Sequence, residues 1–201
     1  MAGPNAAAGG ACVRVRAESL VRPGARVQGE GIAKARLEDI TIRNDLKPGD
    51  IGTVISLHGS LYGSEYGYGI GFEAYVAAGL NEFYQNYDQS RDRVWICEHG
   101  NRMVGFLLLM HREKVSAQLR YFLIRPEYRG IGLGKRLMDL FIQFLKQCNY
   151  RSAYLWTVDE LPAAASLYKR HGFRLTEEKP SAAFFGKPLR EQRYDLVLRN
   201  D

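Results

Sequence analysis

The chain has 201 residues, 46% hydrophobic and 25% charged, with a formal net charge of +6. That length suits one domain with a sizeable core, and no apolar run approaches the ~20 residues of a membrane span, so no membrane partner is expected. The positive balance favours anions such as a polyphosphate cofactor. The basic residues are scattered, however, without a helix-turn-helix, zinc-finger or RNA-binding pattern, so nucleic acid is not an expected partner.

Residues 1–38 are Ala/Gly- and Arg-rich without a clean period and read as a disordered extension. A single domain over 39–201 follows. Ile40 to Arg43 forms a short strand. Asp50 is the expected N-cap of a helix carrying Ile51, Val54, Ile55 and His58. The glycine- and tyrosine-rich stretch 59–71 reads as a loop. Phe72, Val76, Leu80, Phe83 and Tyr87 then mark one stripe of a second helix. Val94 to Glu98 and Met103 to Arg112 form a hairpin around Gly100, and Val115 to Ile124 is the next strand. A long helix follows, with Leu133, Leu137, Leu140, Phe141, Phe144, Leu145 and Cys148 on its buried face. Ser152 to Val158 is a strand. Leu161 to His171 is a short helix entered with Pro162 and closed by Gly172. Phe173 to Glu177 and Arg193 to Leu198 complete an α/β order around a mixed sheet.

Cys12, Cys97 and Cys148 are too sparse for a disulfide framework and fit a reducing, cytoplasmic setting. Cys97, on a short apolar strand, reads as a buried hydrophobe rather than an acyl-carrying nucleophile. The four histidines are dispersed and no C-x-x-C or H-E-x-x-H spacing occurs, so no metal site is expected.

The stretch Arg129-Gly130-Ile131-Gly132-Leu133-Gly134-Lys135-Arg136 joins a strand to the long helix. Helix N-termini carry unpaired N–H groups and partial positive charge, and glycines let the main chain approach a ligand closely. Lys135 and Arg136 oppose the helix dipole in the first turn, a penalty that an anionic ligand reverses. A dinucleotide fingerprint needs a glycine where Lys135 stands. A Walker A loop needs a glycine at 129 and a Ser or Thr at 136. Both patterns fail, and Arg-x-x-Gly-x-Gly remains.

That loop, with Ile124-x-Pro126 before it, Ala164-x-x-Leu167-Tyr168 and His171-Gly172-Phe173, resembles the GNAT N-acetyltransferase superfamily over residues 40–198. A closer likeness is to GNAT domains fused behind MarR-type regulators, carried by Gly49 to Gly52, His58-Gly-x-Leu61-Tyr62, Glu65-Tyr66-Gly67, Ala117 to Arg120, Leu155-Trp156-Thr157 and Phe185-Gly186-Lys187. The 38 residues before the domain are too few for a winged helix, so no DNA-binding role is carried over. The resemblance implies a mostly antiparallel sheet of about six to seven strands flanked by about four helices.

It further implies acetyl-CoA as cofactor, with its pyrophosphate on the amides of Arg129 to Gly134 beside Lys135 and Arg136. Its pantetheine would pair with main chain at Phe122, Leu123 and Ile124, and Ala164 would leave room beside it. An N–H near Leu123 or Ile124 would face the oxyanion. Tyr168 is the implied general acid for the leaving thiolate. Many relatives carry an Asn where this chain has Leu161. His58, Tyr62, Glu65 and Tyr66 are the candidate acceptor-side residues, with Glu65 or His58 as base. The expected activity is N-acetylation of a small amine, amino acid or peptide. An acyl-CoA sensor and a protein-lysine acetyltransferase stay open, and a homodimer is an allowed assembly.

Overall fold

The computed structural model describes residues 35–181 and 186–198. Residues 1–34 of the expected extension at 1–38, and Phe185 of the Phe-Gly-Lys stretch, lie outside the described residues. Leu37–Asp39 forms one 3-10 turn.

Seven strands and four helices alternate in the expected order. The strands are β1 Thr41–Arg43, β2 Arg93–His99, β3 Arg102–Glu113, β4 Ser116–Ile124, β5 Ser152–Val158, β6 Arg174–Pro180 and β7 Arg190–Val197. The helices are α1 Asp50–Tyr66, α2 Ile70–Gln85, α3 Leu133–Gln147 and α4 Pro162–Arg170. They form one sheet in the order β1-β2-β3-β4-β5-β7-β6. Every neighbouring pair is antiparallel except β4 and β5. No helix among the described residues is long and apolar enough to cross a membrane.

Each face of the sheet carries its own core. One holds Leu133, Leu137, Met138, Phe141, Phe144 and Leu145 of α3 with Tyr168 of α4 against Trp95, Leu107 and Leu155. Burying each such apolar side chain contributes roughly 1.5–3 kcal/mol, which fixes α3 on its face. Met138 joins that stripe, whereas Leu140 and Cys148 are only half-buried. The opposite core packs Val54 and Leu57 of α1 with Phe72, Val76, Leu80 and Phe83 of α2 against Ile96, Phe106 and Leu108.

Two expectations about α1 are corrected. Asp50 is not its N-cap. Gly49 holds that position at φ 97, and Asp50 is the first helical residue. Its carboxylate accepts from the Lys47 N–H at 2.6 Å and pairs with Arg43 at 2.7 Å, so side-chain bonds to β1 replace the cap. The glycine-rich stretch 59–71 is not a loop either. Helix α1 runs on to Tyr66, and only Gly67 to Gly69 separate it from α2. Intrinsic propensity loses to tertiary packing here. A Cβ on Gly59 would lie 2.2 Å from the Glu73 carboxylate, so the Glu73 side chain of α2 occupies the space that glycine leaves.

Candidate active site

A cleft of about 1030 Å³ opens where β4 and β5 part. The two parallel strands pair from Ser116↔Ser152 to Leu119↔Leu155, and their pairing stops there. Beyond Leu119 the main chain of β4 faces open space on that side, bounded opposite by Trp156, Thr157 and Val158.

A β-bulge shapes this edge. Leu108 of β3 opposes Arg120 and Phe106 opposes Leu123, so Tyr121 and Phe122 together oppose Leu107 alone. Tyr121 takes up the extra residue at φ 55. A one-residue shift moves every later side chain to the other face. Ala117 and Leu119 accordingly pack on the α3/α4 side, while Tyr121 and Leu123 pack on the α1/α2 side. Phe122 and Ile124 are thereby returned to the α3/α4 side. The Tyr121 hydroxyl tucks against Gly79 of α2, where a Cβ would stand 1.8 Å from it.

The glycine loop borders one end of the cleft. After β4, a 3-10 turn Pro126–Tyr128 leads to Gly130 at φ 79 and Gly132 at φ 93, the N-cap of α3. Left-handed backbone is costly for residues with a Cβ, which accounts for both glycines. A Cβ on Gly130 would meet nothing within 4 Å, and one on Gly132 only Leu37 at 3.7 Å. The space over the loop is therefore open to a ligand. The Arg136 N–H bonds back to Gly132 O at 3.0 Å. Earlier amides of the helix, including those of Leu133, Gly134 and Lys135, precede the first i→i−4 acceptor. Ile131 is half-buried against the core and fixes the loop's base. Arg136 is exposed, and Lys135 pairs with Asp139 one turn on at 2.7 Å. Gly134 faces Leu167, Ile124 and Phe122 within 4 Å, so a glycine keeps that wall open.

The Arg129 side chain is held by protein groups. It donates to Ile124 O at 3.0 Å and grips both carboxylate oxygens of Glu65, at 2.7 and 3.0 Å. The glycine loop is thus tied to the last turn of α1. That contact leaves Glu65 poorly placed as a base, because both its oxygens already accept from a guanidinium.

Tyr168 closes the cleft from α4, 5% exposed. Its ring rests on Phe122, Phe173 and Tyr194 at 6.2 to 6.3 Å between centroids. Burial, with Tyr62 and Tyr194 nearby, pushes its ionisation well above that of a free phenol. It remains a protonated donor at neutral pH. Ala164, one turn earlier, and Leu161, the N-cap of α4, line the cleft beside it.

The expected acceptor-side residues converge. His58, Tyr62 and Tyr66 project from α1 into the cleft. His58 and Tyr62 rings stack at 5.8 Å and 3°. His58 is 3% exposed, and its Nδ1 lies 2.8 Å from Val54 O, the geometry of an Nδ1–H donor. Burial lowers its pKa to about 4, so it is neutral and a weak base. Cys97 is fully buried with its thiol pushed up to about 12 by burial, which makes it inert.

Four contributors escaped the sequence reading. Tyr121 is placed by its bulge, and the broken alternation Tyr121 to Ile124 was the available signal. Phe72 was assigned to core alone yet also lines the cleft. Glu160, beyond β5, and Lys187, before β7, form an ion pair at 2.5 Å. Lys187 also donates to Tyr66 O at 2.6 Å and lies 5.4 Å over the Tyr68 ring. No local pattern announces a pair assembled from two distant loops.

A sheet split at one parallel step, with a glycine-rich helix terminus at the split and an aromatic pocket beneath, defines an α/β protein with a long cleft along the β4 edge. Residues 61–173 match the acetyltransferase (GNAT) family, and the chain belongs to that family. It is similar to the uncharacterized N-acetyltransferase YjgM of Escherichia coli (strain K12), with 30% identity over 97 residues, 47% of this chain and 58% of that protein. The chain spans about half the length of the curated relatives it matches. Among solved structures it shares its fold with a GNAT-family acetyltransferase from Staphylococcus aureus Mu50 (TM-score 0.66, 24% identity, 80% of this chain and 99% of that one). It also shares the fold of the spermidine N-acetyltransferase of Vibrio cholerae, solved with CoA and spermine (TM-score 0.58, 20% identity, 80% and 96%).

Proposed function

We propose that this protein is an acetyl-CoA-dependent N-acetyltransferase that moves an acetyl group directly to a primary amine. The observation carrying this reading is the split between β4 and β5, with an open glycine loop at one end and protonated Tyr168 at its wall. Coenzyme A bound by the fold relative from Vibrio cholerae supports the donor.

The residues divide the work. Amides of Gly130 to Lys135 receive the pyrophosphate at the α3 terminus. The edge of β4 that β5 leaves uncovered, at Phe122 to Ile124, receives the pantetheine amides as a further strand would, with Ile124 O shared with Arg129. This aligns the thioester carbonyl with a main-chain N–H of the same segment, which stabilises the developing oxyanion. The acceptor nitrogen attacks from the α1/α2 side. As the C–N bond forms and the C–S bond breaks, Tyr168 donates its proton to the departing sulfur.

The test is release of free thiol from acetyl-CoA over a panel of primary amines spanning alkyl, aromatic, amino-acid and peptide acceptors. Amine-dependent thiol release with formation of the acetamide is the expected result. Tight coenzyme A binding without turnover of any amine would instead favour a sensor.

A further inference from the structure

The acceptor half of the cleft has a chemistry of its own. Its wall is aromatic. Tyr62 packs on Phe72 at 5.0 Å and on Tyr66 at 5.5 Å, and His58 meets the Tyr121 ring edge-on at 5.7 Å. None of these rings is charged at neutral pH, since burial lowers His58 and raises Tyr62, Tyr66 and Tyr121.

The charges around this wall are already committed. Among the described residues three carboxylates line the cleft, and each has an internal cation. Glu65 is gripped by Arg129, Glu160 by Lys187 at 2.5 Å, and Glu191 by Lys179 at 3.7 Å. Arg120, at the far end, pairs with Glu82 at 3.3 Å. An incoming ammonium would have to displace a cation tethered to the same chain, in a protein whose net charge is +6. A flat apolar body meets no such competition and gains stacking on several rings.

Resting on the acetyltransferase reading above, we propose that the acceptor is a primary amine on an aromatic body, received by ring faces and reacting as the uncharged free base. Proton balance then needs no general base. The free amine loses one proton on acylation and the leaving sulfur gains one. Tyr168 hands its proton to sulfur and is reprotonated from the acylated nitrogen. An ammonium would bring an extra proton, for which neither Glu65 nor His58 is a suitable acceptor.

The experiment compares phenethylamine, its β,β-difluoro analogue of like shape but far weaker basicity, and putrescine, with acetyl-CoA from pH 6 to 9. For phenethylamine kcat/KM should rise about tenfold per pH unit, tracking its free-base fraction. The difluoro analogue should level off near its own lower pKa. Tyr66→Leu should raise KM for phenethylamine at least about fivefold, with coenzyme A affinity unchanged. Identical pH profiles for the two aromatic amines would assign the proton acceptor to the protein and overturn the free-base step. Putrescine surpassing phenethylamine at neutral pH would overturn the aromatic acceptor. Failure of every amine in the wider panel would overturn the acetyltransferase reading itself, a separate outcome.

Discussion

Tyr168→Phe removes one oxygen atom from the cleft and leaves the rest in place. The ring keeps its packing on Phe122, Phe173 and Tyr194, and among the described residues no hydrogen bond to the hydroxyl is lost. Stability should therefore change by less than about 0.5 kcal/mol, a Tm shift of roughly 2 °C for a domain this size. Coenzyme A affinity, which rests on the loop amides and β4, should stay within about twofold of the parent. Turnover should fall by about 10²–10⁴-fold, the usual worth of a positioned general acid, or about 3–5.5 kcal/mol of barrier. The assay pairs steady-state thiol release with calorimetric coenzyme A binding and thermal unfolding on the same preparations. The parent should also show no loss of rate from Tyr168 ionisation below about pH 10, because burial moves that group upward from the ordinary phenol range. A Phe variant with kcat within about threefold of the parent would refute the acid assignment. It would leave Tyr168 as a packing residue whose hydroxyl happens to reach the cleft.

Glu65→Gln separates a strap from a base. The Arg129–Glu65 pair is partly exposed, so its loss should cost at most about 1 kcal/mol of stability, with turnover falling less than tenfold and mainly through acceptor KM. A loss of 10²–10⁴-fold in kcat would restore Glu65 as the base. Gly132→Ala should lower the Tm by several degrees and weaken coenzyme A binding, because φ 93 strains an alanine by about 1–2 kcal/mol although its Cβ has space. Unchanged Tm and affinity would mean the loop does not require that conformation. His58 gives a pH-dependent stability term. Its pKa falls from 6.5 in the unfolded chain to about 4 in the fold. Between those values the unfolded state binds the extra proton, so stability is full above pH 6.5 and declines by up to roughly 3 kcal/mol toward pH 4. His58→Phe, which keeps a ring against Tyr62, should flatten urea-unfolding stability over that window. An equally steep decline in the variant would assign it to other groups.

The donor half of the site was legible because the main chain builds it. Glycines at 130, 132 and 134, a strand before them and a strong helix after them are local features, and local features survive in a sequence. Gly130 and Gly132 take positive φ with open space beside them. Element order was legible for the same reason, since hydrophobic periodicity reports which face is buried. What failed was the stretch 59–71. Its glycines and tyrosines suggested a loop on propensity, but α1 runs on to Tyr66 and Glu73 of α2 lies over Gly59, contacts invisible to any local window.

The acceptor half follows a different logic. It is made of side chains whose partners lie far along the chain: Glu65 with Arg129, Glu160 with Lys187, and Tyr121 against Gly79. A bulge of one residue decides that Tyr121 and Leu123, rather than Phe122 and Ile124, face the aromatic wall. Without the bulge, simple alternation from Leu119 would turn Tyr121 to the α3/α4 side, while the glycine loop kept its own local geometry. On the acetyltransferase reading proposed above, donor and acceptor recognition are separable in this fold. The first is a property of backbone conformation at one loop. The second depends on how the last turn of α1 is held, by Arg129 on Glu65 and by Lys187 on the Tyr66 carbonyl, so substitutions there should change the acceptor without disturbing the donor.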